Sequence, residues 1–216
     1  MSELSERYLK VKNELPDGVT LVAASKMQGI DKVEELNGIA PEVIFGENKV
    51  QELLDKYDPK YRWHIIGQLQ SNKVKYIIDK VELIQSLDRE SLALEIEKQA
   101  AKHNIVMPCL VEINIAGEEA KGGLKPEDAE KFIAWTKELK HVDVRGLMTV
   151  APNSDENTVR QCFLKMKALF DDLKSKFDGI EILSMGMSGD YKIAIECGSN
   201  MVRLGRTLFG ERSYNV

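Results

Sequence analysis

Short apolar runs alternate with amphipathic stretches along this chain, and the alternation repeats eight times. The apolar runs are Val19 to Ser25, Val43 to Gly46, Arg62 to Gly67, Val81 to Ser86, Pro108 to Ile115, Val144 to Val150, Ile180 to Met185 and Met201 to Gly205. They are continuously apolar rather than apolar at every second position. That pattern predicts strands buried on both faces, as in a parallel sheet.

Between these runs the apolar positions fall at helical spacing. Residues Asp155 to Lys176 place Val159, Cys162, Phe163, Met166, Leu169, Phe170 and Leu173 on one face. Pro126 opens a second helix, with Glu127 and Asp128 in its first turn and a stripe from Ala129 through Phe132, Ile133 and Trp135 to Leu139. Val50, Leu53, Leu54 and Tyr57 mark a third. Ser71 and Asn72 have the character of capping residues for a fourth, which carries Val74, Ile77 and Ile78. Roughly Ser2 to Leu15 forms an added helix ahead of the first strand. Eight βα units predict an α/β TIM (β/α)8 barrel, a single domain with an extra N-terminal helix. The competing architecture is an open doubly wound sheet. No Gly-x-Gly-x-x-Gly follows the first strand, which argues against a dinucleotide-binding fold.

Composition narrows the field. The 216 residues suit one well-buried core. Hydrophobic residues make up 43% and charged residues 30%, ordinary for a soluble globular chain. A net charge of -5 argues against nucleic acid as the main partner. No apolar run reaches the ~18 residues of a membrane helix. The polar N-terminus lacks the apolar segment of a signal peptide. Cys109, Cys162 and Cys197 are odd in number and widely spaced. They fit reduced thiols in a cytoplasmic protein, not a disulfide frame or a zinc site, and Cys162 belongs to a helical core stripe.

In a barrel, chemistry collects at the C-terminal ends of the strands. Those ends supply Ser25-Lys26, Gly46-Glu47-Asn48, Gly67-Gln68, Gln85-Ser86, Asn114, Met148-Thr149, Met185 to Asp190 and Arg203 to Thr207. Lys26 sits where a buried strand ends. Partial burial and nearby cations would free its amine to attack an aldehyde. The plainer alternative is a lysine that reaches solvent or pairs with a carboxylate. After the seventh run, Ser188 offers a hydroxyl and Gly189 allows close backbone approach, and residues 190–195 follow as a helix. After the eighth, Gly205 and Arg206 offer backbone N–H groups and Thr207 a hydroxyl. Barrels often hold phosphate between these two loops, although such residues also make ordinary turns. An amine and a phosphate cradle together suggest a phosphorylated aldehyde, with pyridoxal 5′-phosphate (PLP) the leading candidate.

Arg203 lies inside the last strand, where a guanidinium needs partners. It would either face the pyridine nitrogen of a bound cofactor or form a salt bridge with Glu47 or Glu211. Asn48, Gln68 and Asn114 are candidate pocket residues. His64, alone within its strand, reads more readily as a hydrogen-bonded core residue than as a base. No His/Cys/Asp cluster has metal-ligand spacing. Residues 121–125, Lys-Gly-Gly-Leu-Lys, read as a mobile loop with solvated charges.

Several stretches together resemble the pyridoxal phosphate homeostasis protein family. They are Ala23-Ala24-Ser25-Lys26, Phe45 to Glu52, Trp63 to Lys73, Gly146 to Thr149, Leu183 to Asp190, Val202 to Gly205 and Leu208 to Gly210. The resemblance runs from about Leu21 to Gly210, and the family is similar in fold to the N-terminal barrel domain of alanine racemase. It implies that residues 1–216 form one PLP-binding domain. Lys26 would carry the cofactor as a Schiff base and Asn48 would lie close to it. Ser188, Gly189, Gly205 and Thr207 would contact the phosphate, with Arg206 beside them, and Arg203 would face the pyridine nitrogen. An arginine there keeps that nitrogen unprotonated and limits carbanion chemistry. Two positions depart from the family pattern. Met27-Gln28-Gly29 replaces a Thr-Lys-Pro-like continuation, and Arg206 stands where several members have a small residue.

The resemblance implies PLP buffering or delivery in vitamin B6 homeostasis, possible PLP-dependent apoenzyme partners and no efficient amino-acid turnover. Alanine racemase draws a second base from an additional domain of a partner subunit, and the expectation here is that no second domain follows the eighth strand. A monomer is compatible with the acidic composition. The alternative is a PLP-dependent racemase or related enzyme, which would need a second acid or base; His64, Tyr191 and Tyr214 are the nominees. A Schiff-base aldolase acting on sugar phosphates is the third reading.

Overall fold

The computed structural model describes residues 2–118 and 121–210. Eight parallel strands close a barrel in chain order, and the last pairs back onto the first. They are β1 Thr20–Ala24, β2 Ile44–Glu47, β3 Arg62–Ile65, β4 Leu83–Leu87, β5 Met107–Glu112, β6 Val142–Met148, β7 Ile182–Ser184 and β8 Met201–Leu204. Each overlaps the apolar run that predicted it. The closed ring excludes the open doubly wound sheet.

The outer layer holds α1 Glu3–Glu14, α2 Ile30–Ile39, α3 Val50–Lys56, α4 Glu90–His103, α5 Ala129–Thr136, α6 Glu156–Lys176, α7 Tyr191–Glu196 and α8 Arg206–Phe209. The added helix α1 buries Leu4, Tyr8 and Val11 and packs beside α8 and α2. Ser2 caps it by accepting from Ser5 N–H, and Asp155 caps α6 in the same way through Thr158 N–H. Between β3 and β4 the predicted helix is a 3-10 helix, Ser71–Tyr76, tightened by bonds such as Ile77 N–H to Val74 O at 3.0 Å. Two helices have weak signatures in the sequence. α2 buries only Val33 and Leu36, and α4 leans on Ala93 and Ala100 beside Leu92 and Ile96.

Alternation along each strand divides the interior in two. Residues such as Phe45, Trp63, Ile84, Val111, Leu183 and Val202 face the helices and form the main core. Val22, Ile44, Leu83, Leu110, Met148 and Met201 form a smaller cluster in the lumen. The same alternation turns His64, Gln85, Glu112, Ser184 and Arg203 inward, and all five are buried. Cys109, Cys162 and Cys197 are buried free thiols, with Cys162 on the core face of α6 as predicted.

Between β6 and β7 the wall leaves no room for a side chain at Gly146, which lies opposite Ile182. A Cβ on Gly146 would fall 1.9 Å from the Ile182 carbonyl oxygen. Gly146→Ala is therefore expected to destabilise the fold by about 3 kcal/mol in urea denaturation, because backbone must move. An unchanged midpoint would show that the wall yields there.

Glu112 carries a second consequence. Burial, with Asp88 adding, raises its carboxyl from an ordinary 4.5 to about 7 against the opposing pull of Arg203. Between those values the folded chain keeps a proton that the unfolded chain has lost. Stability therefore falls as pH rises through that window. Glu112→Gln should remove roughly 3 kcal/mol of this decline between pH ~4 and pH ~8. Parallel pH–stability profiles for the two proteins would show that Glu112 is not desolvated.

Candidate functional site

Lys26 is half-buried at the barrel mouth, just past the buried end of β1. It occupies a tight turn in which Gln28 N–H bonds to Ser25 O at 3.0 Å and Met27 takes a left-handed φ of 62°. A non-glycine residue holds that conformation only when its surroundings enforce it. Here α3 does so from below. Lys56 Nζ donates to Ser25 O at 2.9 Å and Gln28 O at 3.2 Å, on either side of Lys26, and to Glu47 Oε1 at 2.5 Å. Ser25 Oγ donates to the same Glu47 oxygen at 2.6 Å, and Met27 N–H donates to Glu52 at 2.7 Å. Burial pushes the Glu47 carboxyl upward, while its bonds from Lys56 and Ser25 oppose the shift. Lys56 was missed from the sequence. Its signal is a cation three residues after buried Leu53, on the packed side of α3.

Of the unusual residues after Lys26, Met27 is 60% exposed, and Gly29 precedes α2 with φ −71°, a value proline also adopts. Asn48 is half-buried just after β2, and a Cβ on Gly67 would lie 2.6 Å from its carbonyl oxygen. The ends of β2 and β3 therefore meet at Asn48.

The phosphate candidates converge. Ser188 Oγ accepts from Gly205 N–H at 3.3 Å and from Thr207 N–H at 3.2 Å, so two N–H groups at the start of α8 point at one oxygen. An anion placed among them would find the donors already aligned. This cluster adjoins the Lys26 strand, because a Cβ on Gly205 would meet Ala24 O at 3.2 Å. Asp190 closes the preceding turn by accepting from Met187 N–H at 2.5 Å. Gly186, with φ +100°, lets α7 pack close, since a Cβ there would strike Ala194 and Tyr191. Gly189 differs: an added Cβ meets nothing within 4 Å, so no neighbouring protein atom requires glycine. Arg206 opens α8 and is exposed.

Arg203 is buried below this cradle. It donates to Ser184 Oγ at 2.6 Å and to Thr149 O at 2.8 Å. The salt bridge to Glu47 is not formed, because Glu47 faces the helix layer and pairs with Lys56. Glu211 lies outside the described residues. Burial lowers Arg203 to about 10, with Glu112 and Asp190 opposing, so it stays cationic at neutral pH. Ser184 and Thr149 were missed as its partners; both are small hydroxyl residues at strand ends, which carry little signal of their own.

Gln68, Glu112, Asn114, Lys121, Gly122 and Val150 line a cavity of about 280 Å³ at the β5–β6 side of the mouth. In the loop at 121–125 the expected solvated charge holds for the exposed Lys125 and is corrected for Lys121. Lys121 Nζ bonds to Glu118 at 2.6 Å and to Ala151 O at 3.2 Å, while Leu124 pairs with Ile113 beside β5. Asn114 closes the loop through Glu118 and Lys121 carbonyls. The nominated bases are engaged elsewhere or not described. His64 Nδ1 meets Gln85 at 3.0 Å inside the lumen, as the core reading predicted. Tyr191 Oη donates to Glu14 on α1 at 2.7 Å, and burial pushes it up to about 12. Tyr214 lies outside the described residues.

Known proteins resemble this chain in sequence and in fold. The family model for the alanine racemase N-terminal domain matches residues 1–213. The pyridoxal phosphate homeostasis protein of Aquifex aeolicus is 46% identical over 223 residues, covering 99% of this chain and 97% of that protein. PipY of Synechococcus elongatus, solved without PLP, superposes with a TM-score of 0.91 at 28% identity, covering 96% of this chain and 100% of PipY. Its structure with PLP bound gives 0.86 over the same shares at 28% identity. Alanine racemase of Clostridium difficile shares the fold at 18% identity, with a TM-score of 0.82 over 98% of this chain and 57% of the racemase. The chain belongs to the alanine racemase N-terminal domain family and, within it, to the pyridoxal phosphate homeostasis proteins.

Proposed function

We propose that residues 1–216 form one PLP-binding domain that serves vitamin B6 homeostasis by buffering or delivering the cofactor. The reading rests above all on one juxtaposition. The Gly205 and Thr207 N–H groups converge on Ser188 one strand away from the turn that carries Lys26. The PLP-bound structure of the similar PipY supports the same ligand.

In this reading Lys26 binds the aldehyde carbon, while Ser188, Gly189, Gly205 and Thr207 hold the phosphate and Arg206 adds charge at its edge. Asn48 borders the cofactor from the β2 side, and Arg203 faces the ring nitrogen. PLP, when bound, supplies an electrophilic carbonyl and an electron-withdrawing ring. Arg203 stays cationic and cannot accept a proton, so it favours an unprotonated ring nitrogen and weakens that ring as an electron sink. Two of the nominated second bases have other partners, His64 through Gln85 and Tyr191 through Glu14. Both features favour carriage over amino-acid turnover. The buried free cysteines support a reducing, cytoplasmic setting. We further propose a monomer whose partners are PLP-dependent apoenzymes that receive the cofactor.

Adding PLP to the wild-type protein should produce a violet-region absorption band that Lys26→Ala lacks. No band in the wild type, even after addition, would remove the PLP reading. α-Proton exchange in deuterated water, scanned over a panel of amino acids, should stay far below ordinary enzyme rates of ~1–10³ s⁻¹. Lysine-dependent exchange at those rates would favour a racemase. Arg206→Ala should weaken PLP binding about threefold, the modest effect of an exposed charge on an anion. Unchanged affinity would place its side chain away from the phosphate.

A further inference from the structure

A directed chain of hydrogen bonds crosses the lumen beneath the mouth. It runs from Arg203 on β8 to Ser184 on β7 at 2.6 Å, to Gln85 on β4 at 2.7 Å and to His64 on β3 at 3.0 Å. Each direction follows from the one before it. A guanidinium can only donate, so Ser184 Oγ accepts from Arg203 and keeps its single proton for Gln85. The Gln85 carbonyl oxygen takes that proton, which turns the amide nitrogen towards His64. His64 Nδ1 must then accept, leaving the ring proton on Nε2.

The terminus suits this polarity. Burial, with the charge of Arg62 adding, pushes His64 down to about 3, so the ring is neutral across the physiological range. A protonated ring would donate from Nδ1 and turn the Gln85 amide around. Ser184 Oγ would then accept from both Gln85 and Arg203, and its own proton would lose the Gln85 carbonyl as its acceptor. The second arm of Arg203 is fixed separately on Thr149 O at 2.8 Å. Gln85 also reaches Met201 Sδ at 3.3 Å, which holds its amide nitrogen on the lumen side of β8.

We propose that Ser184 and Gln85 are positioning residues that aim the Arg203 guanidinium at the ring end of the PLP site, with neutral His64 as the terminal acceptor. This deepens the PLP reading above and rests on it. If the four residues merely satisfied one another in the core, breaking the chain would alter stability and leave the bound cofactor's spectrum alone.

The experiment compares wild type with Ser184→Ala, Ser184→Thr and Gln85→Leu by two readouts. Nitrogen-15 NMR of the ligand-free proteins reports the His64 tautomer. Wild type should show the proton on Nε2, and Ser184→Ala should show a mixture, because the Gln85 amide is freed to turn. Titration with PLP, followed by the visible band and its pH midpoint, reports the site. Ser184→Ala and Gln85→Leu should bind about tenfold more weakly, as when a hydrogen bond to a charged group is lost, with a displaced midpoint. Ser184→Thr keeps the hydroxyl and should restore both. A normal wild-type band left unchanged in affinity and midpoint by Ser184→Ala would overturn the proposal alone. So would a proton on Nδ1 in wild type, or failure of Ser184→Thr to restore what Ser184→Ala loses. A wild-type protein with no band would remove the PLP reading and this proposal with it.

Discussion

The pairing of β8 with β1 is the contact on which the rest depends. Thr20 to Ala23 lie beside Met201 to Leu204 in unbroken parallel register. That register sets the Lys26 turn beside the start of α8 and places Arg203 across from Val22 within the lumen. Without it the barrel is an open sheet, and Lys26 and the proposed anion cradle belong to opposite edges. A parallel pair buried on both faces is held largely by apolar packing, here by Val22 and Met201 inside and Ala23, Val202 and Leu204 outside.

The mouth accepts charges that most barrel interiors avoid, and two different solutions make this tolerable. Lys56 and Glu47 are paired directly at 2.5 Å between wall and helix, where each would be costly alone. Among the described residues, Arg203 is bonded by a serine hydroxyl and a backbone carbonyl and by no carboxylate. The first arrangement ties α3 to the Lys26 turn. The second leaves the guanidinium with no directly bonded carboxylate among the described residues, with Glu112 and Asp190 acting on it only through their charge, and a site for a negatively charged molecule can use this.

Much of this was legible in the sequence because buried strands write continuous apolar runs and their polar ends stand out against them. Lys26, Ser188, Gly205 and Thr207 were found in that way, and the last three do meet in space. Helices α2 and α4 were harder, since alanines and a short stripe carry little periodic contrast. The partners of Arg203 were out of reach. A pattern of residue types says that a buried arginine needs acceptors, but only closure of the barrel decides that Ser184 and Thr149 provide them. Lys121 misled for a related reason: a lysine beside two glycines looks solvated until Glu118, Asn114 and Ala151 are known to bond it.

The order of the strands also sets when the mouth can exist. Lys26 follows the first barrel strand to be synthesised, whereas Gly205 and Thr207 follow the eighth. A chain still growing on a ribosome carries the lysine turn long before it carries the anion cradle. Most β pairs join neighbours in sequence, but the closing pair spans nearly the whole described chain and must wait for it. The Lys26 turn is thus made long before its β8 neighbours, and the two are brought together only when the last strand slots into the gap.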